Sequence, residues 1–521
     1  MLARLKDRGS KPWDMLIVGG GATGVGVALD AASRGYDVVL VEQADFGKGT
    51  SSRSTKLAHG GVRYLEQGNI SLVMEALKER GLMRQNAPHL VHDLAFVVPN
   101  YEWWEAPFYG VGLKVYNLLA GKYGFGPSTI LSRDETLERL PTIKTDGLRG
   151  GIVYYDGQFD DARLLVNIAE TAAEQGAALV NYMRVESLIK HGSELAGAIA
   201  RDLESGVEHE IRAKVIVNAT GAFTDGIRRM ADPAAAPLIA PSQGIHLVFP
   251  GRFLASDHAI MVPHTSDGRV MFAIPWHGHV VVGTTDTPIS EASLDPLPFE
   301  EEIDFILETS ARYLSHAPSR ADVLSVFVGI RPLVKAGGDS GGNTAALSRD
   351  HTIRIEDSCL VTITGGKWTT YRHMAEDCVN KAATIAQLDE RPCVTKNLNI
   401  HGYHQNAEKF GDLAVYGADA PAIEALGRAA AGLDDRLDPE LPYTAAEVLW
   451  AVRNEMARTV DDVLARRTRA LFLNASAALR MAPRVAQLMA SELGRDHAWQ
   501  QQQLADFQKI ATGYVLGGTA S

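Results

Sequence analysis

Basic and titratable side chains stand next to glycine turns in four separate stretches of this chain. In order, these are His59 with Arg63 and Tyr64, His246 with Arg269, Arg331 alone, and Lys367 with Arg372. If such side chains converge on one pocket they bind a small anion, and a phosphate or a carboxylate would suit them equally. A histidine in that pocket can take a proton from a hydroxyl group while hydride leaves the adjacent carbon. For each single arginine, the alternative role is a structural ion pair with a carboxylate. The prediction of an anion-binding pocket therefore depends on whether the fold brings these residues together.

The element expected to bring a cofactor to this pocket is the segment Asp14–Glu42. Its apolar runs Met15–Val18 and Val38–Val41 predict two buried strands of a parallel sheet, with a helix between them. The turn after the first strand has the G-x-G-x-x-G pattern, formed by Gly19, Gly21 and Gly24. Such glycines admit a pyrophosphate beside a helix N-terminus, and Glu42 stands where an acid would meet a ribose hydroxyl. The segment therefore predicts dinucleotide binding.

Two later strands end in similar small-residue turns. Val215–Val217 runs into Gly221, and Leu360–Ile363 runs into Gly365-Gly366 before another helical pattern. The first turn fits the far side of a cofactor-binding sheet, although a plain strand–turn–helix fits as well. The second would direct a helix N-terminus at an anion or an electron-rich ring. The residues after Glu42 form a long, glycine-rich stretch, which suggests backbone wrapped closely around a ligand.

The rest of the chain suggests two further parts. Alternating apolar residues and regular turns between Pro241 and Pro288 predict an antiparallel sheet. Beyond about residue 400 the composition shifts to Ala, Glu, Arg and Leu, and Thr444 with Glu447 forms a capping box that opens a helix. These patterns predict a separate C-terminal helical domain.

Composition excludes several classes of protein. A net charge of −12 over 521 residues argues against nucleic acid as a partner. Three cysteines without a C-x-x-C pattern suit a reduced setting and predict neither a disulfide framework nor a metal site. No apolar stretch is long enough to span a membrane. The segment 101–123 is aromatic and amphipathic, which is typical both of a helix lying on a bilayer and of a buried helix.

Several longer motifs carry a resemblance to a known family. They are IVGGGATGVGVALDAASRGYDVVLVE, TSSRSTKLAHGGVRYLE, VNATGAFTD, IPWHGHVVVGTTD, GIRPL, TGGKWTTYR and TVDDVLARRTRALFLNA, and they span about residues 14 to 475. With these motifs in this order, the chain closely resembles the FAD-dependent glycerol-3-phosphate dehydrogenases, which share the fold of D-amino-acid oxidase.

The resemblance implies an α/β fold with three parts. A discontinuous, Rossmann-like FAD-binding domain would comprise residues 1–70, 151–240 and 350–390. A substrate-binding domain built on an antiparallel sheet would comprise residues 71–150 and 241–349, and an all-α domain residues 400–521.

The resemblance also implies noncovalently bound FAD and the residues that hold it. Gly19, Gly21 and Gly24 would bind the pyrophosphate, and Glu42 the adenosine ribose. Arg184, Val185 and Gly221 would close the adenine side, and Gly366, Lys367 and Thr369 would lie near the flavin's pyrimidine edge. The ribityl chain and flavin ring would lie along Thr50, Ser51, Ser52, Lys56, Leu57, His59 and Gly61.

The substrate implied by the resemblance is sn-glycerol 3-phosphate, oxidised to dihydroxyacetone phosphate with hydride passing from C2 to flavin N5. It would be surrounded by Arg63, Tyr64, His246, Arg269, Arg331 and Lys367. The arginines would bind the phosphate, and His246 is the preferred base for the C2 hydroxyl. Lys367 could assist deprotonation instead. The predicted catalytic residues are therefore His246 and Lys367, together with Arg331 as a ligand of the phosphate.

The electron acceptor stays open between a membrane quinone and dioxygen. No second glycine fingerprint with a strand before it and a helix after it exists, which argues against NAD(P). Quinone reduction would place the protein in the cytoplasm, on the cytoplasmic face of the inner membrane. The basic run Arg466, Arg467 and Arg469 fits contact with anionic lipid or a solvated helix face. The C-terminal domain is a candidate homodimer interface, and a flavin-binding protein without turnover is the remaining alternative.

Overall fold

The computed structural model describes residues 1–8, 11–61, 69–103, 105–263, 265, 268–335 and 350–516. In chain order, the strands are β1 Trp13–Val18, β2 Val38–Val41, β3 Leu57–Ala58, β4 Val91–Asn100, β5 Thr129–Ser132, β6 Gly150–Phe159, β7 Ala178–Val180, β8 Met183–His191, β9 Glu194–Asp202, β10 Glu208–Asn218, β11 Ile239–Pro250, β12 Ala259–Val262, β13 Met271–Trp276, β14 His279–Gly283, β15 Thr287–Pro288, β16 Ser325–Val334, β17 His351–Ile355, β18 Val361–Gly365, β19 Arg436–Asp438 and β20 Leu441–Thr444.

The helices lie before, between and after these strands. They are α1 Leu2–Asp7, α2 Ala22–Ser33, α3 Ile70–Asn86, α4 Glu105–Ala120, α5 Arg133–Arg139, α6 Asp161–Glu174, α7 Thr224–Ala231, α8 Glu300–Tyr313, α9 Tyr371–Ile385, α10 Ala420–Ala429, α11 Ala445–Asn454, α12 Ala470–Leu473, α13 Ala475–Leu493 and α14 His497–Thr512. A π-helical turn, Asp462–Arg467, precedes α12.

The first sheet is the nucleotide-binding one. Its strand order is β17-β18-β10-β1-β2-β7, and the pairs from β18 to β7 are parallel. The chain runs outward from β1 to β2 in one direction and returns to β10 on the other side of β1. Cofactors of open parallel sheets bind at such a reversal of strand order, beyond the carboxyl ends of the strands. Helices α2, α6 and α9 share one apolar core with this sheet.

The second sheet has the order β15-β11-β14-β13-β12-β4-β6-β3, with β16 beside β11 and β5 beside β6. Its pairs are antiparallel, as predicted, except for the parallel pair β12 and β4. Strand β6 belongs to this sheet, whereas the predicted division at residue 151 assigned it to the nucleotide-binding part. The hydrogen bonds of β6 with β4 over ten residue pairs explain the difference, because pairing and not sequence order decides sheet membership.

The C-terminal helices share a core with the second sheet. Val248, Trp276, Val281 and Phe327 of that sheet pack in one cluster with apolar residues of α11 to α14. The predicted capping box is present at α11, where Glu447 accepts a hydrogen bond from the Thr444 amide at 2.7 Å. No helix in the described part of the chain is long and apolar enough to cross a membrane.

Candidate active site

A cavity of about 350 Å³ lies beyond the carboxyl ends of β1, β10 and β18. Its position is the one expected of a dinucleotide site, at the reversal of strand order. Many of the predicted cofactor residues line this cofactor cavity, namely Gly19, Gly21, Glu42, Thr50, Ser51, Arg184, Val185, Gly221, Gly366 and Lys367.

The turn between β1 and α2 needs glycine for two reasons. Gly19 has φ of +111°, and a Cβ there would lie 2.6 Å from the carbonyl oxygen of Ala219. A Cβ on Gly24 would overlap the carbonyl group of Gly19, so Gly24 permits the tight turn without lining the cavity. No side chain caps α2 at Gly21, and the first turn of the helix borders the cavity. The positive end of the helix dipole there suits an anionic pyrophosphate.

Glu42 stands at the end of β2 in the cavity wall. Its carboxylate accepts hydrogen bonds from the backbone amides of Gly20 at 2.6 Å and Ala44 at 2.9 Å. Burial raises the pKa of this carboxyl group. Glu42 therefore ties the glycine turn to the segment that follows β2, in the position predicted for a ribose ligand.

The segment Thr50–His59 is divided between cavity and core. Ser51 Oγ accepts a hydrogen bond from the Ala22 amide at 2.9 Å, which joins this segment to the start of α2. Lys56 points the other way: its ammonium group donates to both oxygens of Asp161, at 2.8 and 2.9 Å, and to the carbonyl of Ser52. Burial lowers the pKa of Lys56 to about 8. The predicted cofactor residues Ser52 and Lys56 line neither cavity, because the buried carboxylate of Asp161 holds the Lys56 ammonium group in the core. Local sequence did not reveal this partner.

A second cavity, of about 220 Å³, adjoins the first. Both share a wall formed by Thr50, Pro332, Gly365, Gly366, Lys367 and Trp368. This substrate cavity is lined by the predicted residues Leu57, His59, His246, Arg331 and Thr369 in addition. The fold thus brings a histidine, an arginine and a lysine from three distant stretches to one end of the cofactor cavity.

His246 projects from β11 and is only 2% exposed. Its Nε2 lies 2.9 Å from Thr55 Oγ1, and its ring stacks on Phe327 with centroids 4.7 Å apart. Burial, with the nearby charges of Lys56 and Arg331, holds the pKa of His246 well below its usual value. The ring is therefore held in its neutral form, which has a lone pair for a proton, and the same effects make it a weaker base than an exposed histidine.

Arg331 extends from β16, whose register places it opposite Ser242 of β11. Its guanidinium group lies 3.2 Å from both Asp286 Oδ1 and Thr284 Oγ1. Gly244 leaves room for the guanidinium group, since a Cβ there would lie 2.6 Å from its two terminal nitrogens. Sequence reasoning missed these neighbours and Thr55, because each pairing joins residues that are distant in the chain.

Lys367 follows β18 in the wall between the cavities. Gly365 and Gly366 both have positive φ, of 77° and 70°, which turn the chain sharply ahead of the lysine. Thr369 Oγ1 accepts a hydrogen bond from the His59 amide at 3.2 Å. The two predicted flavin-side segments are therefore joined directly.

Some predicted residues are not gathered here. Gly61 and Arg269 line neither cavity, and Arg63 and Tyr64 lie outside the described residues. Arg372 forms a structural ion pair, because Glu79 binds its guanidinium group through two hydrogen bonds of 2.7 Å.

The basic run Arg466, Arg467 and Arg469 is buried, at 2% exposure for each residue. Its guanidinium groups pair with Asp45 and Asp161, among other carboxylates. Both interpretations of this run, a lipid-binding patch and a solvated helix face, are wrong. Partners more than 300 residues away in sequence neutralise these charges inside the protein.

Comparison with known proteins agrees with this architecture. Residues 14–371 match the family described as FAD dependent oxidoreductase, and residues 393–502 match the C-terminal domain of alpha-glycerophosphate oxidase. The chain is 42% identical to the mitochondrial glycerol-3-phosphate dehydrogenase of Rattus norvegicus, over 94% of this chain and 72% of the rat protein.

Solved structures show the same similarity. The glycerol-3-phosphate dehydrogenase of Bacillus halodurans, complexed with FAD, superposes with a TM-score of 0.80 at 29% identity, covering 99% of this chain and 98% of that one. The FAD-bound L-alpha-glycerophosphate oxidase of Mycoplasma pneumoniae superposes with a TM-score of 0.58 at 17% identity, over 75% of this chain and 99% of that one. The second similarity concerns the fold alone.

Proposed function

The chain belongs to the FAD dependent oxidoreductase family, and on that premise we propose that it oxidises sn-glycerol 3-phosphate to dihydroxyacetone phosphate. Family membership confirms the predicted cofactor, FAD, and the predicted fold class. The observation that carries the proposal is the shared wall of the two cavities. Lys367 belongs to that wall, and Arg331 and His246 line the adjoining cavity, so an anionic alcohol bound there would meet the cofactor.

The residues of the cofactor cavity fit FAD. Gly19, Gly21 and the first turn of α2 offer backbone amides and the positive end of the helix dipole to the pyrophosphate, while Ser51 holds the Ala22 amide and Gly24 permits the tight turn. Glu42, in the wall of the cavity, presents its carboxylate to the ribose hydroxyls. Thr50, Ser51, Arg184, Val185, Gly221 and Gly366 complete the wall. We assign the discontinuous nucleotide-binding domain to the strands of the first sheet and the substrate domain to the second.

In the substrate cavity, Arg331 and Lys367 would bind the phosphate, with Arg63, Tyr64 and Arg269 as further candidates from sequence. Asp286 and Thr284 orient the Arg331 guanidinium group. Neutral His246 would take the proton of the C2 hydroxyl, and Thr55 would hold its ring in place. Bound FAD supplies the hydride acceptor for C2. The Lys367 charge beside the cofactor cavity favours negative charge there.

Anaerobic mixing of the holoenzyme with glycerol 3-phosphate tests the reaction. The flavin absorbance should bleach with this substrate and persist with glycerol, which lacks the phosphate. Persistent flavin colour with glycerol 3-phosphate would contradict the proposal and favour a flavin-binding protein without turnover.

The electron acceptor we propose is a membrane quinone. The family similarity and the absence of a second dinucleotide fingerprint in the sequence support this choice. The similarity of residues 393–502 to an oxidase domain supports a second candidate, a glycerol-3-phosphate oxidase that reduces dioxygen to hydrogen peroxide. Purified protein should reduce a soluble quinone analogue rapidly and consume little oxygen. Fast aerobic turnover without an added acceptor would instead identify the oxidase.

Quinone reduction requires contact with a bilayer, and α4 presents a suitable face. Phe108, Val111, Val115 and Leu118 repeat every three or four residues and are 56%, 66%, 41% and 80% exposed. Lys114 is exposed on the same helix. An exposed apolar stripe with a lysine is typical of a helix lying on anionic lipid. This supports peripheral attachment to a bilayer, for which we propose the cytoplasmic face of the inner membrane.

Sedimentation with vesicles of mixed anionic and zwitterionic phospholipid tests this attachment. Leu118→Glu should release the protein into the supernatant, whereas the matched control Val207→Glu, at an exposed apolar site elsewhere, should not. Equal sedimentation of both variants would contradict a role for α4.

A further inference from the structure

In the residues that the structure describes, the C-terminal domain contributes nothing to the walls of the two cavities. Within the described part of the chain, neither wall includes a residue beyond Tyr371. The domain nevertheless contacts the back of the cofactor cavity. Its contacts there are the Lys48–Asp461 ion pair and the ion pairs of Arg466 and Arg467, two arginines that the proposed function leaves without a role.

Asp45 is the carboxylate that both arginines bind. It stands three residues after Glu42, in the segment 42–51 that follows β2, and it is fully buried. Arg466 Nε donates to Asp45 Oδ2, and Arg467 donates to both carboxylate oxygens, at 2.6 and 3.0 Å. The two guanidinium groups hold the pKa of the Asp45 carboxyl below its usual value, against the opposing effect of burial. One carboxylate of the nucleotide-binding domain is thus held by two cations of the C-terminal domain.

The two arginines are themselves held within the C-terminal domain. Arg466 Nη2 lies 2.8 Å from carboxylate oxygens of Asp461 and Asp462, and Arg467 Nη2 donates to the carbonyl of Glu455 at 2.7 Å. Asp461 also accepts a hydrogen bond from Lys48 at 3.0 Å. Each partner charge is thereby compensated, which is the condition for a buried ion network to be tolerated.

The same segment forms part of the cofactor cavity wall. Gly47, Lys48, Gly49, Thr50 and Ser51 all line it, on the stretch between Asp45 and the start of the substrate cavity. The Gly47 amide donates to the carbonyl of Gly20 in the glycine turn at 3.0 Å. A displacement of Asp45 would therefore move backbone that borders both the glycine turn and the cavity.

We propose that Arg466 and Arg467 are positioning residues for FAD: through Asp45 they order the segment 42–51, so that docking of the C-terminal domain and binding of FAD are coupled. This inference depends on the cofactor cavity assigned under the proposed function. Coupling is reciprocal: the docked domain raises the affinity for FAD, and FAD holds the domain in place.

Flavin affinity of matched variants tests the coupling. Arg467→Met leaves Asp45 with one fewer cation and should weaken FAD binding about tenfold or more, because an incompletely paired buried charge displaces its segment. Arg480→Met is the control, since Arg480 pairs with Asp438 at 2.7 Å inside the C-terminal domain and touches neither cavity wall. Its dissociation constant for FAD, measured from flavin fluorescence, should equal that of the wild type.

A double variant separates this role from general destabilisation. If Arg467 acts through Asp45, the double variant Asp45→Asn with Arg467→Met should lose clearly less FAD affinity than the product of the fold-losses measured for the two single variants. Multiplicative losses would show that the two residues act independently and would overturn the proposal.

Hydrogen exchange on the wild-type protein tests the reciprocal effect without any substitution. Excess FAD added to the deflavinated full-length chain should slow amide exchange in residues 459–474 and in residues 42–51 together. Slowing confined to residues 42–51, or equal FAD affinity of Arg467→Met and Arg480→Met, would overturn the coupling. These readouts measure flavin binding alone, so a wild-type protein that binds FAD but is not reduced by glycerol 3-phosphate would contradict only the proposed function.

Discussion

Arg331→Met is the substitution with the most informative expected outcome. Arg331 lines the substrate cavity but not the cofactor cavity, and its guanidinium group is paired with Asp286 at 3.2 Å. Methionine keeps the length and apolar stem of the side chain while removing its charge. The change should therefore weaken binding of glycerol 3-phosphate and leave FAD affinity unaltered.

The magnitude follows from two contributions. A hydrogen bond to a charged group contributes about 1.5–3 kcal/mol, which corresponds to a loss of about 10- to 150-fold in kcat/KM. The substitution also leaves Asp286, whose side chain is 9% exposed, without its arginine beside an anionic substrate. Ser242 still donates a hydrogen bond to that carboxylate but does not cancel its charge. We expect a total loss near the upper end of this range.

The assay is steady-state reduction of an artificial electron acceptor at saturating FAD, with KM and kcat determined separately. The control is the double variant Arg331→Met with Asp286→Asn, which removes the unpaired carboxylate as well. It should recover about tenfold in kcat/KM over the single variant, because only the repulsive contribution is relieved. A wild-type KM for Arg331→Met would exclude Arg331 from the substrate cavity. An equally large loss of FAD affinity would mean that Arg331 supports the fold and not the substrate.

Three further outcomes are expected. Thr55→Val removes a hydrogen bond to His246 that contributes about 1 kcal/mol, so kcat/KM should fall about fivefold. The flavin fluorescence should stay unchanged, and unaltered rate constants would show that Thr55 does not position His246. Glu42→Gln places an amide group against two backbone N–H donors and should weaken FAD binding about tenfold, as measured by fluorescence titration. An affinity equal to that of the wild type would show that the carboxylate is not required. A hydrogen bond to Asp419 raises the pKa of His401 from 6.5 to about 10, so this ion pair stabilises the fold fully below pH 6.5 and is lost as the pH rises through 10. The thermal unfolding midpoint should accordingly drop more steeply between pH 7 and 10 for the wild type than for His401→Gln, and parallel curves would contradict this assignment.

Local sequence was sufficient for the cofactor-binding elements. The glycine turn, the two strands beside it and Glu42 lie within 30 residues of one another, so their spacing alone determines a strand–turn–helix unit that accepts a pyrophosphate. The capping box at Thr444 is local in the same sense. These features were predictable because each depends on contacts between near neighbours in the chain.

The state of the candidate base depended on tertiary structure. Sequence identified His246, but its neutral form results from burial against Phe327 and from the charges of Lys56 and Arg331. Thr55, which holds the ring, is 191 residues away in the chain. No periodicity or composition encodes such a pairing.

The arginine run shows the same limit most clearly. By itself, Arg466-Arg467-Thr468-Arg469 is typical of a solvated or lipid-facing surface. Asp461 and Asp462 stand just before this run and pair with Arg466, but two carboxylates do not neutralise three cations. The fold places Asp45 and Asp161 against them across 421 and 308 residues. Burying an arginine is tolerable only when a carboxylate meets it, and the chain path alone decides whether one does. Sequence therefore predicted which cofactor the protein binds, and only the tertiary structure decided which charges line the substrate cavity and which hold the domains together.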